Sequence, residues 1–315
     1  MNRHVWQTGE LTSLPRIIPI AVAVLFLVSL SPALDAGQLK PEALQAWNQY
    51  VQQANARVRT RLQPDEQFLW IDEQPGRKEQ VRAGEILVAP IDSHIPKSVP
   101  SGLIHDWIAA AFFPNTTLSE VLVVVRDYDH YPEFYKPYVM EAKPLSQAAE
   151  EDRFSMTLLN KSLFQRTALE NDYETTYFRL SPSRIYSVSR TTRVQEIDDL
   201  GRPSQHEMPV DTGNGYIWRL FSTSRMEERD GGVYVEIEAI ALSRDVPGAF
   251  RWFVDPIVRR VSRDAMITTL KQTSDAVQSS VEASNRTRPG CATEPANCAP
   301  QRKNITDSAP ARGPN

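Results

Sequence analysis

The feature that most constrains this chain is its middle. Between residues 139 and 242 it reads as a succession of strands separated by turn chemistry, and a helical pattern follows directly after Pro247-Gly248. Apolar and polar residues alternate with period two, which sends successive side chains to opposite faces of a sheet. Strands are expected near 139–146, 153–161, 167–179, 184–197, 216–228 and 233–242. Gly201-Arg202-Pro203 and Gly213-Asn214-Gly215 are loop signals, and Arg229-Asp230-Gly231-Gly232 marks a tight hairpin, because aspartate and glycine tolerate the positive φ such turns require.

That hairpin fixes a register. With the turn at Asp230-Gly231, Arg229 opposes Gly232 and Arg225 opposes Glu236. One face then carries Trp218, Leu220, Ser222, Ser224 and Met226 with Val233, Val235, Ile237, Ala239 and Ala241. The other carries Arg219, Phe221, Thr223, Arg225 and Glu227 with Tyr234, Glu236, Glu238, Ile240 and Leu242. The first face is apolar and rich in small side chains, which suits the lining of a cavity. The second has charge pairs across strands, which suits water. A rival reading turns Arg219, Arg225, Glu236 and Glu238 inward as a polar subsite, where they would have to be paired. Ser222 and Ser224 either orient a ligand carbonyl or hydroxyl, or bond to backbone or water.

Upstream, residues 103–113 (LIHDWIAAAFF) form a long apolar run with His105 and Trp107 on one face and Asp106 on the other. Thr116 or Thr117 can cap a short helix from Leu118, with Glu120 in its first turn, and a second short helix begins at Tyr131-Pro132 and stops at Pro137. Tyr128, Tyr131, Phe134, Tyr135 and Tyr138 crowd this region, either to gate a pocket mouth or to pack helix on sheet. Before it, Leu44, Trp47, Val51, Ala54, Val58 and Leu62 predict an amphipathic helix over 41–62, followed by strand-like runs at 68–71 and 85–91. After Pro247-Gly248, Phe250, Phe253 and Ile257 mark one helical segment, and Ser262 can cap a second running to about residue 280.

Residues 17–30 read IIPIAVAVLFLVSL, with Arg3 and Arg16 before them and Ser31-Pro32-Ala33 after. A basic start, an apolar run and small residues describe a secretory signal, and the run is shorter than the ~20 residues a spanning helix needs. Export to the periplasm or outside is therefore expected, with an uncleaved N-terminal anchor as the alternative. The organisation expected is a signal peptide over 1–36, an N-terminal helix and short strands over 37–99, a main domain over 100–283 and a disordered tail over 284–315. Both cysteines, Cys291 and Cys298, fall in that tail, so no disulfide or cysteine metal site supports the core.

The net charge of -4, with no basic stripe, argues against nucleic acid as a partner. There is no G-x-S-x-G elbow, no H-E-x-x-H and no phosphate-cradling glycine loop. The 5 histidines never recur at i, i+4, so no metal site and no catalytic residue is assigned.

The passage Phe113-Pro114-Asn115-Thr116-Thr117-Leu118, the stretch from Val121 to Pro132 with its Asp127-Tyr128-Asp129-His130-Tyr131-Pro132 end, and the hairpin-to-helix segment from Val233 to Val254 resemble the START-like (SRPBCC) superfamily, which includes polyketide cyclases and coenzyme-Q-binding proteins. The resemblance covers about residues 100–280. It implies an α+β helix-grip fold, a curved antiparallel sheet wrapped around a long C-terminal helix, here with an N-terminal helical extension. It also implies a cavity between sheet and helix that binds a lipid or another apolar small molecule, with possible contact to a membrane and no cofactor. The expected lining is Trp107, Trp218, Leu220, Ser222, Ser224, Val235, Ile237, Ala239, Ala241 and Trp252. The alternatives are a cyclase-like enzyme, favoured by inward Glu236 and Glu238, and a ligand-free interaction domain whose cavity is plugged by Trp107, Trp218 and Trp252.

Overall fold

The computed structural model describes residues 37–161, 166–246 and 248–287, with backbone alone at 160–161, 166, 248–255 and 287. The expected signal peptide, the two cysteines and the tail beyond residue 287 lie outside the described residues. In chain order the elements are β1 (Gly37–Gln38), α1 (Pro41–Arg61), α2 (Arg77–Arg82), β2 (Leu87–Pro90), β3 (Lys97–Val99), β4 (Gly102–Pro114), α3 (Leu118–Val125), α4 (Tyr131–Phe134), β5 (Val139–Gln147), β6 (Glu151–Lys161), β7 (Arg166–Ser181), β8 (Arg184–Asp198), β9 (His206–Glu207), β10 (Thr212–Gly213), β11 (Arg219–Arg229), β12 (Gly232–Arg244) and α5 (Gly248–Thr287).

Local chemistry accounts for the key junctions. Thr117 and Glu120 form a reciprocal capping box that starts α3. Asp230 and Gly231 both have positive φ, 55° and 81°, the conformation of a two-residue hairpin turn, and they set the register Arg229↔Gly232 and Arg225↔Glu236. Gly232 is required by proximity: a Cβ there would meet the Phe113 carbonyl oxygen at 2.3 Å.

The main sheet has ten antiparallel strands in the order β2-β4-β12-β11-β8-β7-β6-β5, with β3 beside β4 and β9 beside β8. On one face α5 and α3 pack, bringing Leu270, Ala276, Val277, Leu118 and Val121 onto Ala109, Phe113, Met226, Val233 and Val235. This antiparallel sheet against one long helix is the helix-grip architecture. On the other face α1 sets Ala43, Trp47, Tyr50 and Ala54 against Ile104, Phe221, Ile240 and Leu242. Phe68, Leu69, Trp70, Ile71 and Val81 continue that cover over Ile108, Ala110 and Tyr234.

That cover corrects the expectation that the hairpin's second face meets water, and equally the rival that its charges point into the cavity. Arg225 and Glu236 are each 1% exposed, Glu238 3% and Asp106 0%. They are buried beneath α1 because α1 supplies their counterions. Arg57 donates to Asp106 at 2.7 Å and to Glu238 at 2.5 Å, Tyr50 donates to Asp106 at 2.8 Å, and Arg61 stands 3.7 Å from Glu236. Arg225 donates to Glu236 at 2.7 Å, and the Trp70 backbone N–H donates to the same carboxylate at 2.6 Å. Arg219 lies apart, held by Asp211 at 2.6 Å.

Other expectations also change. Residues 68–71 are not a strand: the Trp70–Asp72 stretch is a 3-10 turn whose first N–H goes to Glu236 instead of a sheet neighbour. α2 and β3 were not anticipated, and α5 is a single helix of 40 residues that continues through Pro256 and past Ser262 to Thr287, where a cap and an earlier end were expected.

Removing one partner of a buried ion pair strands the other. Arg225→Met is expected to lower the unfolding free energy by about 3–5 kcal/mol. Adding Glu236→Gln should recover part of this, since an amide oxygen still accepts the Trp70 N–H without a charge. Urea titration of the single and double variants measures both, and an unchanged Arg225→Met midpoint would refute this account of the cluster.

Candidate functional site

A cavity of about 600 Å³ lies between the sheet's inner face and α5. Strand register arranges its floor in cross-strand rows. One row runs Leu220, Ala241, His105; the next runs Thr175, Ser189, Ser222, Ala239, Trp107; the third runs Tyr177, Ser187, Ser224, Ile237. Met266, Thr269 and Thr273 of α5 close it from above, and Val125, Tyr128, Tyr131, Tyr135 and Tyr138 bound it at the α3–α4 end. Small residues in the middle of the floor, Ala239, Ala241, Ser222 and Ser224, leave the space that larger strand residues would fill.

Among the described residues no Lys, Arg, Asp or Glu lines this cavity. The polar groups that do are neutral. Burial pushes the Tyr131 and Tyr173 hydroxyls upward, away from ionisation. Tyr128 donates to the buried Asp152 at 2.9 Å and its oxygen stands 3.2 Å from that of Tyr177, while Arg126 holds the same carboxylate at 2.6 Å. Tyr128, Phe154 and Tyr173 stack in series, with ring centroids 4.1 Å and 4.8 Å apart. Tyr135 meets Thr273 of α5 at 3.1 Å. The crowded aromatics pack α3 and α4 onto the sheet, and Tyr128, Tyr131, Tyr135 and Tyr138 form one wall of the cavity.

Among the described lining residues, His105 is the one that titrates near neutrality when free. His105 Nε2 shares a 2.9 Å hydrogen bond with Ser243 Oγ, and Nδ1 is buried with no partner among the described residues. Burial pushes the imidazole down to about 4. Trp107 Nε1 is also buried with no partner among the described residues.

Of the expected lining residues, Trp107, Leu220, Ser222, Ser224, Val235, Ile237, Ala239 and Ala241 border the cavity. Trp218 does not. It precedes the first residue of β11, its N–H bonds to the Leu242 carbonyl, and its ring packs with Trp47 and Tyr50 on the α1 side. The lack of a Cβ at Gly215 makes room for that ring; a Cβ there would meet it at 2.5 Å. The side chain of Trp252 lies outside the described residues. The expectation missed Thr175, Ser187, Ser189, Phe154, Tyr173 and Tyr177. Thr175, Tyr177, Ser187 and Ser189 share the parity that strand pairing carries from Ser222 and Ser224 across β8 to β7, but the long connection from β8 to β11 separates them from the hairpin, and alternation alone does not bridge it.

No protein-family model and no curated protein matches the chain. Among solved structures it is similar to a STAR-related lipid transfer protein from Xanthomonas axonopodis, with 15% identity over 61% of this chain and 98% of that one and a TM-score of 0.39. It is similar to human STARD10, with 7% identity over 64% and 73% of the two chains and a TM-score of 0.44. A START superfamily protein from Mycobacterium smegmatis matches with 8% identity over 56% and 97% and a TM-score of 0.32. These are START-type proteins; the helix-grip architecture itself stands on the strand order and the seat of α5 described above.

A histidine whose folded-state pKa is depressed holds stability above its unfolded value, and that stability is lost as pH falls toward the folded value. The His105 contribution should therefore be present above pH 6.5 and decline toward pH 4, by of order 1–3 kcal/mol. Comparing thermal melts of the wild type and His105→Phe across that window isolates it: the variant's melting temperature should fall less steeply with acid. Parallel curves would exclude the shift.

Proposed function

We propose that the protein is an exported carrier that holds a neutral apolar small molecule or lipid between its sheet and α5. The observation that carries this reading is the cavity of about 600 Å³ floored by small and apolar side chains. That volume is within the roughly 300–1,000 Å³ of typical small-molecule sites. A charged ligand would need a counterion, and the described lining offers none. The two glutamates on which a cyclase-like reading depended, Glu236 and Glu238, are on the opposite face under α1. Export is supported by the basic, apolar and small-residue succession in residues 1–36.

Purification of the full chain from cells under native conditions, followed by intact mass spectrometry, tests the carrier. An apolar adduct at a stoichiometry of one is expected. Ala239→Trp or Ala241→Trp should abolish it by filling the floor, while leaving the far-ultraviolet circular dichroism unchanged. Absence of any adduct from the folded wild type, both as purified and after incubation with a lipid extract, would overturn the carrier. The same spectra give the mature N-terminus, and a mass that begins before residue 30 would replace export with anchoring.

A further inference from the structure

Some polar groups around the cavity are satisfied within the protein and others are not. On α5, Thr268 and Thr273 donate to carbonyls four residues back, at 2.8 Å each, and Gln272 donates to the Lys136 carbonyl, while the Ser262 and Thr269 hydroxyls have no partner among the described residues. On the floor, Thr175 donates to Ser189 at 2.8 Å. The Ser187, Ser222 and Ser224 hydroxyls have no partner among the described residues, although Ser187 is only 8% exposed. Strand geometry explains why. A helical serine can turn back to its own i−4 carbonyl. A serine in the middle of a sheet cannot, because the ladder consumes the neighbouring N–H and C=O groups. β8 and β11 are interior strands, paired on both sides along this stretch.

Register groups these three hydroxyls. Ser187 and Ser224 are direct cross-strand partners, with Cβ atoms about 5 Å apart. Ser222 is two residues along the same face, roughly 7 Å away. Leu220, Met226, Ile237 and Ala239 surround them. A floor meant only for methylene chains has no use for three unpaired hydroxyls at its centre, since each one covered by hydrocarbon loses its hydrogen bonds to water.

We propose that Ser187, Ser222 and Ser224 form an oxygen-recognition subsite, and that the ligand class is a neutral, largely apolar molecule bearing a carbonyl or hydroxyl within its apolar body. Hydroxyls both donate and accept, so the subsite takes either group. A simple saturated acyl chain across this floor is disfavoured. The inference rests on the carrier reading.

The test uses two probes of one shape, fluorene and 9-fluorenone, which differ by a methylene against a carbonyl. Each is titrated against the full chain by displacement of the apolar dye Nile red. Replacing all three residues (Ser187→Ala, Ser222→Ala, Ser224→Ala) should weaken 9-fluorenone at least fivefold and leave fluorene unchanged or tighter. The single Ser224→Ala variant should show a smaller loss of the same kind, which guards against misfolding of the triple. Equal effects on both probes, or no effect on either, overturn the subsite while dye binding keeps the carrier. Should the folded wild type bind neither dye nor probe, the carrier reading fails and the subsite with it.

Discussion

Charge pairing beneath α1 is the constraint on which the rest of the structure depends. Asp106, Glu236 and Glu238 sit on adjacent strands and face away from α5; Arg57, Arg61 and Arg225 answer them. Burial and the Glu238 charge push Asp106 upward, and burial pushes Glu236 upward, against the opposing pull of Arg57 on the first and of Arg225 and Arg61 on the second. Pairs of this kind add little net stability compared with apolar residues, but they are unforgiving of misplacement. They fix how α1 lies on β4, β12 and β11.

Those same strands present their alternate residues to the cavity. Glu236 and Glu238 flank Ile237, and Asp106 separates His105 from Trp107. A strand that shifts by one residue exchanges its two faces, so a register locked by ions outside is a register locked for the ligand inside. The cavity itself has little to hold it open. Its centre is made of alanine and serine, and it is the rigidity of the twice-covered sheet that lets small side chains leave a space.

The sequence was most informative where one local motif set geometry over a distance. Asp230-Gly231 fixed the turn, the turn fixed the β11–β12 register, and the register separated cavity-facing Leu220, Ser222, Ala239 and Ala241 from Arg225 and Glu236. What period-two alternation does not carry is the identity of whatever covers each face. Arg225 and Glu236 read as solvent-exposed because their cover, α1 and the Phe68–Ile71 turn, comes from more than 150 residues earlier: the Trp70 N–H bond to Glu236 spans 166 positions. Trp218 failed for a local reason, since it stands one residue outside the strand whose parity it was assigned.

The Arg57–Glu238 contact joins positions 181 residues apart. α1 is the first described helix to be synthesised, and β12 is the last described strand. Between the two events Arg57 can meet only Asp106 and Arg61 only Glu73, while Glu236 and Glu238 are still to come, and the strands from β4 to β11 have an incompletely covered outer face. Completion of the fold is therefore deferred until nearly all of the chain is available, whichever compartment it folds in. Loop closure on this scale makes for slow assembly and a long exposure of sheet edges and faces. A protein built this way is a natural client for a holding chaperone during its synthesis, and its N-terminal helix acts as a clasp that can fasten only after the last strand has arrived.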